Sequence, residues 1–239
     1  MIIAEKRYAL IPAYKPDKKL IKIAVQLIEN GYSVVVVDDG SGPEYADVFY
    51  EILPYAELLI HEVNRGKGAA IKTGLEFIAE DGKEDYTVVT LDADGQHSID
   101  DVIRVTEVAE KEINSLILGV REFDKDVPIR SRLGNVITRC IFLFVTGIRI
   151  QDTQTGLRAF SDKQVEFMRS IAGERYEYEI NVLLEYAKGG MLICQIPIET
   201  IYLDNNNSSH FHVVRDSVLI YAQILKHMDV RMERRGAGW

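Results

Sequence analysis

The sequence has little cysteine, only Cys140 and Cys194, far apart and without C-x-x-C spacing. That excludes a disulfide-stapled scaffold and argues against a single disulfide or a cysteine-based zinc site, and both thiols are expected to be buried in a reducing compartment. Long apolar runs are also missing. The best candidate, Cys140–Val145, is far shorter than the roughly 20 residues of a membrane span. At the N-terminus, Glu5, Lys6 and Arg7 break up what a signal peptide would need, so the expected location is cytoplasmic. There is no basic excess. The 28 Lys and Arg are outnumbered by 37 Asp and Glu, a net charge of -9, which argues against bulk, sequence-independent binding of nucleic acid while leaving room for a local basic patch. Internal repeats, low-complexity tracts and linkers rich in Pro, Gly or Ser are absent too.

What is present is an ordinary globular composition, 47% apolar and 27% charged over 239 residues. At roughly 150 residues per domain, this is one large domain or two tight halves. A single domain over 1–239 is expected, with the part after about residue 120 elaborating the same domain. Apolar runs of strand length alternate with amphipathic stretches. Strands are expected at Tyr8–Ile11, Ser33–Val37, Glu57–His61, Tyr86–Leu91 and Ser115–Val120. Helices are expected from Leu20 to Ile28, closed by Asn30-Gly31, over Ala69–Ala79, and from a cap at Ser98 and Asp100 to Lys111. The alternation predicts an α/β fold, a mostly parallel sheet with helices on both faces, whose ligands bind at the carboxyl ends of the strands.

Two of those strand ends are acidic, Asp38-Asp39 and Asp92-x-Asp94. Carboxylates two apart after a buried strand, followed by Gln96, form a hard-oxygen site suited to Mg²⁺ or Mn²⁺ together with substrate phosphates. A plain helix-start loop would carry the same acids. The loop Asn64-Arg65-Gly66-Lys67-Gly68 opens a helix where backbone N–H groups and Lys67 can meet a phosphate. Its spacing fits neither a dinucleotide-binding fingerprint nor a P-loop. Pro128–Ile150 holds four arginines and no acid, with apolar residues at helical spacing that end in the apolar tip CIFLFV. Such a helix either lies on a membrane surface or docks on the core with its arginines solvated or on phosphate.

IPAY, VVVVDDGS, NRGKGAAIKTGL, LDADGQH and DTQTGLRAF, in that order, resemble the inverting nucleotide-sugar glycosyltransferases of family 2, which have the GT-A fold. Among these the chain is most similar to the polyprenyl-phosphate branch, the dolichol-phosphate mannosyltransferase-like enzymes, from about residue 8 to about 225. The resemblance implies a nucleotide-binding half up to about residue 120 and an acceptor half beyond it. It implies that Pro12, Ala13 and Tyr14 line the base and ribose, that an aspartate of Asp38-Asp39 contacts the nucleoside, and that Lys67 lies beside the nucleotide. Asp94 and Gln96 are then the metal ligands, with Asp92 nearer the ribose and sugar. Asp152, Gln154, Thr155 and Gly156 fall near the sugar and acceptor, and Arg130 and Arg132 where acceptor phosphate is bound. The chain departs from the pattern at Lys15-Pro16, where relatives often have Asn-Glu, and at His212, where many have Arg.

The implied activity is transfer of a sugar from a UDP- or GDP-sugar to polyprenyl phosphate at the cytoplasmic membrane surface, with inversion. The chain would sit there peripherally or with a membrane-protein partner, in the synthesis of cell-envelope glycans. A lipid phosphate needs no general base, whereas a hydroxyl acceptor does, and Asp152, Glu177 and Glu179 are the candidates. Glu177 and Glu179 are expected chiefly to form a solvated helix start, and Gly156 to allow close backbone approach. His210 and His212 fall in a polar loop with Ser208 and Ser209, His97 is expected to begin a helix, and His61 and His227 carry no assignment. The rival readings are transfer to a glycan or soluble hydroxyl, a nucleotidyltransferase, and a catalytically silent nucleotide-sugar-binding partner of a membrane protein.

Overall fold

The computed structural model describes residues 6–81, 85–121 and 129–199, with the side chains of 129–137 outside that description. In chain order the elements are β1 (Lys6–Ala13), α1 (Lys19–Glu29), β2 (Tyr32–Asp38), α2 (Ala46–Ile52), β3 (Glu57–Ile60) and α3 (Lys67–Asp81). They continue with β4 (Tyr86–Thr90), α4 (Ile99–Lys111), β5 (Ser115–Arg121), α5 (Ile129–Thr146) and β6 (Arg158–Ser161). The series closes with α6 (Val165–Ser170), α7 (Glu177–Gly189) and β7 (Leu192–Ile198).

The strands form one seven-stranded sheet in the order β3-β2-β1-β4-β6-β5-β7. All pairings are parallel except those of β6, which runs antiparallel between β4 and β5. Strand β6 follows α5 and the segment 147–157, and it returns antiparallel to both of its neighbours. Its four residues are too short a run to read as a strand from pattern alone. β1 has β2 on one side and β4 on the other, so the chain reverses direction across the sheet there. The crevice at a reversal, outside the carboxyl ends of the strands, is where open α/β sheets bind ligands.

Alternation along the strands feeds two cores. Tyr8, Leu10, Val35 and Val37 join Leu75 and Ile78 of α3, Phe142 of α5 and Leu183 of α7 on one face. Ala9, Ile11, Val34 and Val36 join Leu20 and Leu27 of α1, Phe49 of α2 and Val105 of α4 on the other. α4 starts as its sequence predicts: the Ser98 hydroxyl accepts from the Asp101 amide at 3.1 Å, with Asp100 and Asp101 in the first turn, where acids favour a helix N-terminus. α1 ends at Asn30, and Gly31 takes φ +82°.

Within the Pro128–Ile150 segment, Ile129–Thr146 forms α5, which docks through Phe142 and Val145 and leaves Leu143 and Phe144 exposed, Phe144 by 78%. The expectation of two buried thiols is corrected here: Cys140 is exposed and Cys194 half-buried, and both are free. Cys140 lies on the outward side of α5, and Cys194 on β7, the sheet's edge strand. Among the described residues no helix is long and apolar enough to cross a membrane.

Candidate active site

The carboxyl ends of β1 and β2 are tied together. The Asp39 amide donates to the Ala13 carbonyl at 2.8 Å. Asp38, the last residue of β2, accepts the Ser41 amide at 2.9 Å, and the Ser41 hydroxyl in turn accepts the Lys15 amide at 2.8 Å. The segment Pro12-Ala13-Tyr14 is thereby fixed beside the acid pair. A Cβ on Gly40, which has φ +72°, would stand 2.4 Å from the Val63 carbonyl carbon, so only glycine lets the loops after β2 and β3 meet. The two acids differ. One oxygen of Asp38 is bonded to Ser41, whereas both oxygens of Asp39 are engaged, by His61 and by the amides of Arg65 and Gly66.

Lys67 opens α3 and bridges two carboxylates, Asp92 at 2.6 Å and Glu179 at 2.8 Å. Burial alone would push its pKa down, but the negative charges of Asp92 and Glu179 hold it above the ordinary lysine range. Burial likewise pushes Asp92 up, and Lys67 outweighs it, with His97 contributing, so Asp92 is held well below the carboxylate range. The expected solvated position of Glu179 is corrected. Its side chain is buried in the first turn of α7 because Gly68 lets that helix close on α3; a Cβ on Gly68 would stand 2.5 Å from Tyr178 Cβ. Glu177 does sit at the helix start, where its carboxylate accepts the amides of Glu174 and Arg175 at 3.1 and 3.2 Å.

Asp94 has no ion pair among the described residues. Its carboxylate accepts the Gln96 amide at 3.0 Å, and burial, then the charge of Asp92, raise its pKa. His97 precedes the cap of α4 rather than opening the helix. It is buried with its Nε2 3.7 Å from Asp92, and neither ring nitrogen has a hydrogen-bond partner among the described residues. The described residues also contain no group of three or more His, Cys, Asp and Glu side chains placed to hold a metal ion.

Asp152 is fully buried, accepting Arg121 Nε at 2.7 Å on one oxygen and the Gln154 amide at 3.1 Å on the other. Burial would lower the pKa of Arg121, but Asp152, then Asp92 and Asp94, raise it, so this guanidinium lies within the field of the acid pair. Thr155 donates its hydroxyl to the Gly119 carbonyl at 2.6 Å, and the buried Arg158 joins the Thr155 and Glu179 carbonyls at 3.0 and 2.8 Å. Gly156 closes this loop directly onto Asp92.

The sheet edge thus brings together Asp38, Asp39, Lys67, Asp92, Asp94, Asp152 and Gly156. The side chains of Arg130 and Arg132, and all of Ser208, Ser209, His210, His212 and His227, lie outside the described residues. Sequence reasoning missed Arg121, Arg158 and the engagement of Glu179 and His61. Arg121 carried a usable signal, since it ends a strand as Asp38 does.

The chain is similar to several known proteins. The UDP-N-acetylglucosamine–dolichyl-phosphate N-acetylglucosaminyltransferase of Methanococcus voltae is 29% identical over 247 residues, covering 92% of this chain and 96% of its own. A dolichyl-phosphate beta-glucosyltransferase of Trichomonas vaginalis is 31% identical, covering 82% of this chain and 66% of its own. In fold, the glucosyl-3-phosphoglycerate synthase of Mycobacterium tuberculosis, solved with Mn²⁺, UDP and phosphoglyceric acid, matches with a TM-score of 0.71 at 17% identity, over 94% of this chain and 79% of that one. The model of the family described as Glycosyl transferase family 2 matches residues 8–168. That match runs from β1 into α6 and takes in both acid pairs, the Lys67 loop and the 152–156 loop, and the chain belongs to glycosyl transferase family 2, as an enzyme with the GT-A fold.

Proposed function

We propose that the chain transfers a sugar from a nucleotide diphospho-sugar to a polyprenyl phosphate at a membrane surface, inverting the anomeric centre. One observation supports the choice of acceptor: Asp152, Glu177 and Glu179, the three carboxylates considered as general base for a hydroxyl, are each engaged within the protein. Asp152 holds Arg121, Glu179 holds Lys67, and Glu177 caps the amides before α7. A hydroxyl acceptor needs such a base, whereas a phosphate monoester is already ionised at neutral pH. The relatives of Methanococcus and Trichomonas, named for dolichyl-phosphate acceptors, support the same choice.

In this reading the loop after β1 and Asp38 receive the nucleoside, and Lys67 faces the diphosphate. Its ammonium has three protons, and two point at Asp92 and Glu179. The third remains for a phosphate oxygen. The acceptor phosphate oxygen attacks the anomeric carbon as the bond to the diphosphate breaks, and the bonding pair leaves on the diphosphate. Lys67 stabilises that departing charge because it is already positioned and partly dry. Arg121, oriented by the buried Asp152, supplies a second cation toward the acceptor side, together with Arg130 and Arg132 of α5.

The residues fit a divalent cation. Lys67 and Arg121 face four carboxylates, Asp92, Asp94, Asp152 and Glu179, and among the described residues Asp94 is the one without an ion pair. Asp94 and Gln96 would hold Mg²⁺ or Mn²⁺, with the diphosphate completing the shell, as such ions prefer. The ion would supply Lewis-acid stabilisation of the leaving diphosphate. Membrane association draws support from the exposed Leu143 and Phe144 at the apolar end of α5. Incubation with UDP- and GDP-sugars and a polyprenyl phosphate tests the reading, with the lipid product identified by mass.

A further inference from the structure

Asp39 is buried and saturated. Its Oδ1 accepts His61 Nδ1 at 2.7 Å and the Arg65 amide at 2.9 Å, and its Oδ2 accepts the Gly66 amide at 2.7 Å. An ionised carboxylate has no proton to donate, so Asp39 accepts from the imidazole as it does from the two amides, and Nδ1 is assigned the proton. The other ring nitrogen of His61 meets the Thr73 hydroxyl at 2.9 Å, two turns along α3. His61 is held from below as well, since its amide donates to the Asp38 carbonyl at 2.8 Å. The loop that Asp39 grips is the one that delivers Lys67. From the far side, Gly66 and the start of α3 close on residues 174–178: the Ala69 amide donates to the Glu174 carbonyl at 2.8 Å, and a Cβ on Gly66 would stand 2.5 Å from that oxygen.

We propose that Asp39 and His61 form a positioning pair, completed by Thr73, that clamps the 64–66 loop and thereby sets where Lys67 stands relative to the donor's diphosphate. Asp39 then acts through the loop rather than by touching the nucleoside, which is left to Asp38. The proposal rests on the reading that Lys67 faces the diphosphate. The physical case is that an unclamped loop would leave the buried Asp39 carboxylate and the buried Gly66 amide without these partners, and the part-buried Arg65 amide without its own. Three charge-assisted bonds to one side chain hold the loop in a single arrangement before any ligand arrives.

The test compares His61→Ala with His61→Asn, whose side-chain amide nitrogen can replace Nδ1 as donor to Asp39. Two quantities are read in each folded variant. One is hydrogen exchange at the Arg65 and Gly66 amides without nucleotide. The other is affinity for UDP and GDP against UMP and GMP. In His61→Ala, exchange at those amides should quicken about tenfold or more, the loss expected for one hydrogen bond to a charged group. Affinity for the better-bound diphosphate should fall by a similar factor, while its monophosphate binds as before, and His61→Asn should restore most of both. Unchanged exchange in His61→Ala overturns the clamp. Faster exchange with equal losses for diphosphate and monophosphate overturns the link to Lys67 and leaves the clamp standing, so the two failures are distinguishable. If His61→Ala does not fold, Thr73→Val, which removes only the outer partner, is read in its place by the same criteria.

Discussion

Gly156 and Asp92 are in such close register that a Cβ on Gly156 would stand 2.3 Å from an Asp92 carboxylate oxygen. The obstacle is a side chain, not backbone, so Gly156→Ala is accommodated by swinging the carboxylate aside. That breaks its 2.6 Å contact with Lys67 and displaces the first acid of the pair. The expected stability loss is about 1–3 kcal/mol, the usual cost of overpacking. Turnover should fall about a hundredfold, since a shift of about 1 Å at a reacting centre costs that much. Melting temperature and transfer rate, measured on one preparation, separate the two effects. A rate loss no greater than the loss of folded protein would remove Gly156 from the site.

Lys67 neutralises two carboxylates at once, and its loss should show in stability before activity is considered. Lys67→Met leaves Asp92 and Glu179 facing each other. Breaking a buried pair costs about 3–5 kcal/mol, and the lower end applies because water reaches Asp92, whose side chain is 34% exposed. For a chain of this size that is a drop of about 6–12 °C in melting temperature. Adding Glu179→Gln to Lys67→Met should recover part of it. Additive losses in the double variant would show that the two side chains are not coupled.

The strands and first helices were legible because their signals are local. SVVVV at 33–37 and YTVVT at 86–90 are β-branched runs buried on both faces, and Ser98 caps α4 where its spacing says it should. Asp92, Asp94 and Lys67 were legible as well, because acids and a lysine at strand ends and loop turns stand out from their neighbours. The clasp of Lys67 by Glu179 was not, since 112 residues separate them and RYEYE reads as an ordinary acidic helix start; only the packing of Gly68 on Tyr178 brings the two together. His61 and Arg158 were hidden for a related reason: His61 bonds to Asp39 across two loops, and Arg158 bonds to backbone carbonyls, of Thr155 nearby and of Glu179 on α7, that carry no sequence signature. Cys140 was misjudged because an apolar neighbourhood in sequence does not say which side of α5 faces out, and Cys194 because it does not say that β7 is the sheet's edge strand.

The metal assignment predicts that Asp94→Asn weakens Mn²⁺ binding and transfer together while the melting temperature of the metal-free protein holds or rises. The rise is possible because the variant removes a buried carboxylate whose charged form burial and Asp92 disfavour. Titration with MnCl₂ in the presence of UDP checks the first part and thermal unfolding in EDTA the second. Full transfer by Asp94→Asn in EDTA would contradict a metal role for this residue.

Membrane association makes a separable prediction on α5. Changing Leu143 and Phe144 together to Ser should lower partition onto phosphatidylcholine vesicles, by about ten- to a hundredfold for each side chain if both insert fully. Arg130→Gln with Arg132→Gln should act only on anionic vesicles, by about 1 kcal/mol per lost charge, and should raise the acceptor KM without altering nucleotide affinity. Unchanged partition of both variants would leave α5 as a docked structural helix and turn attention to hydroxyl acceptors.

The most direct measurement incubates the purified protein and Mg²⁺ or Mn²⁺ with a panel of UDP- and GDP-sugars, each with undecaprenyl or dolichyl phosphate in detergent, and weighs the products. The account predicts, for at least one donor, a lipid phosphate heavier by a single sugar, released with an equal amount of nucleoside diphosphate and carrying the anomeric configuration opposite to the donor's. Turnover of a donor only when a hydroxyl acceptor replaces the lipid phosphate, or a product that retains configuration, would contradict it.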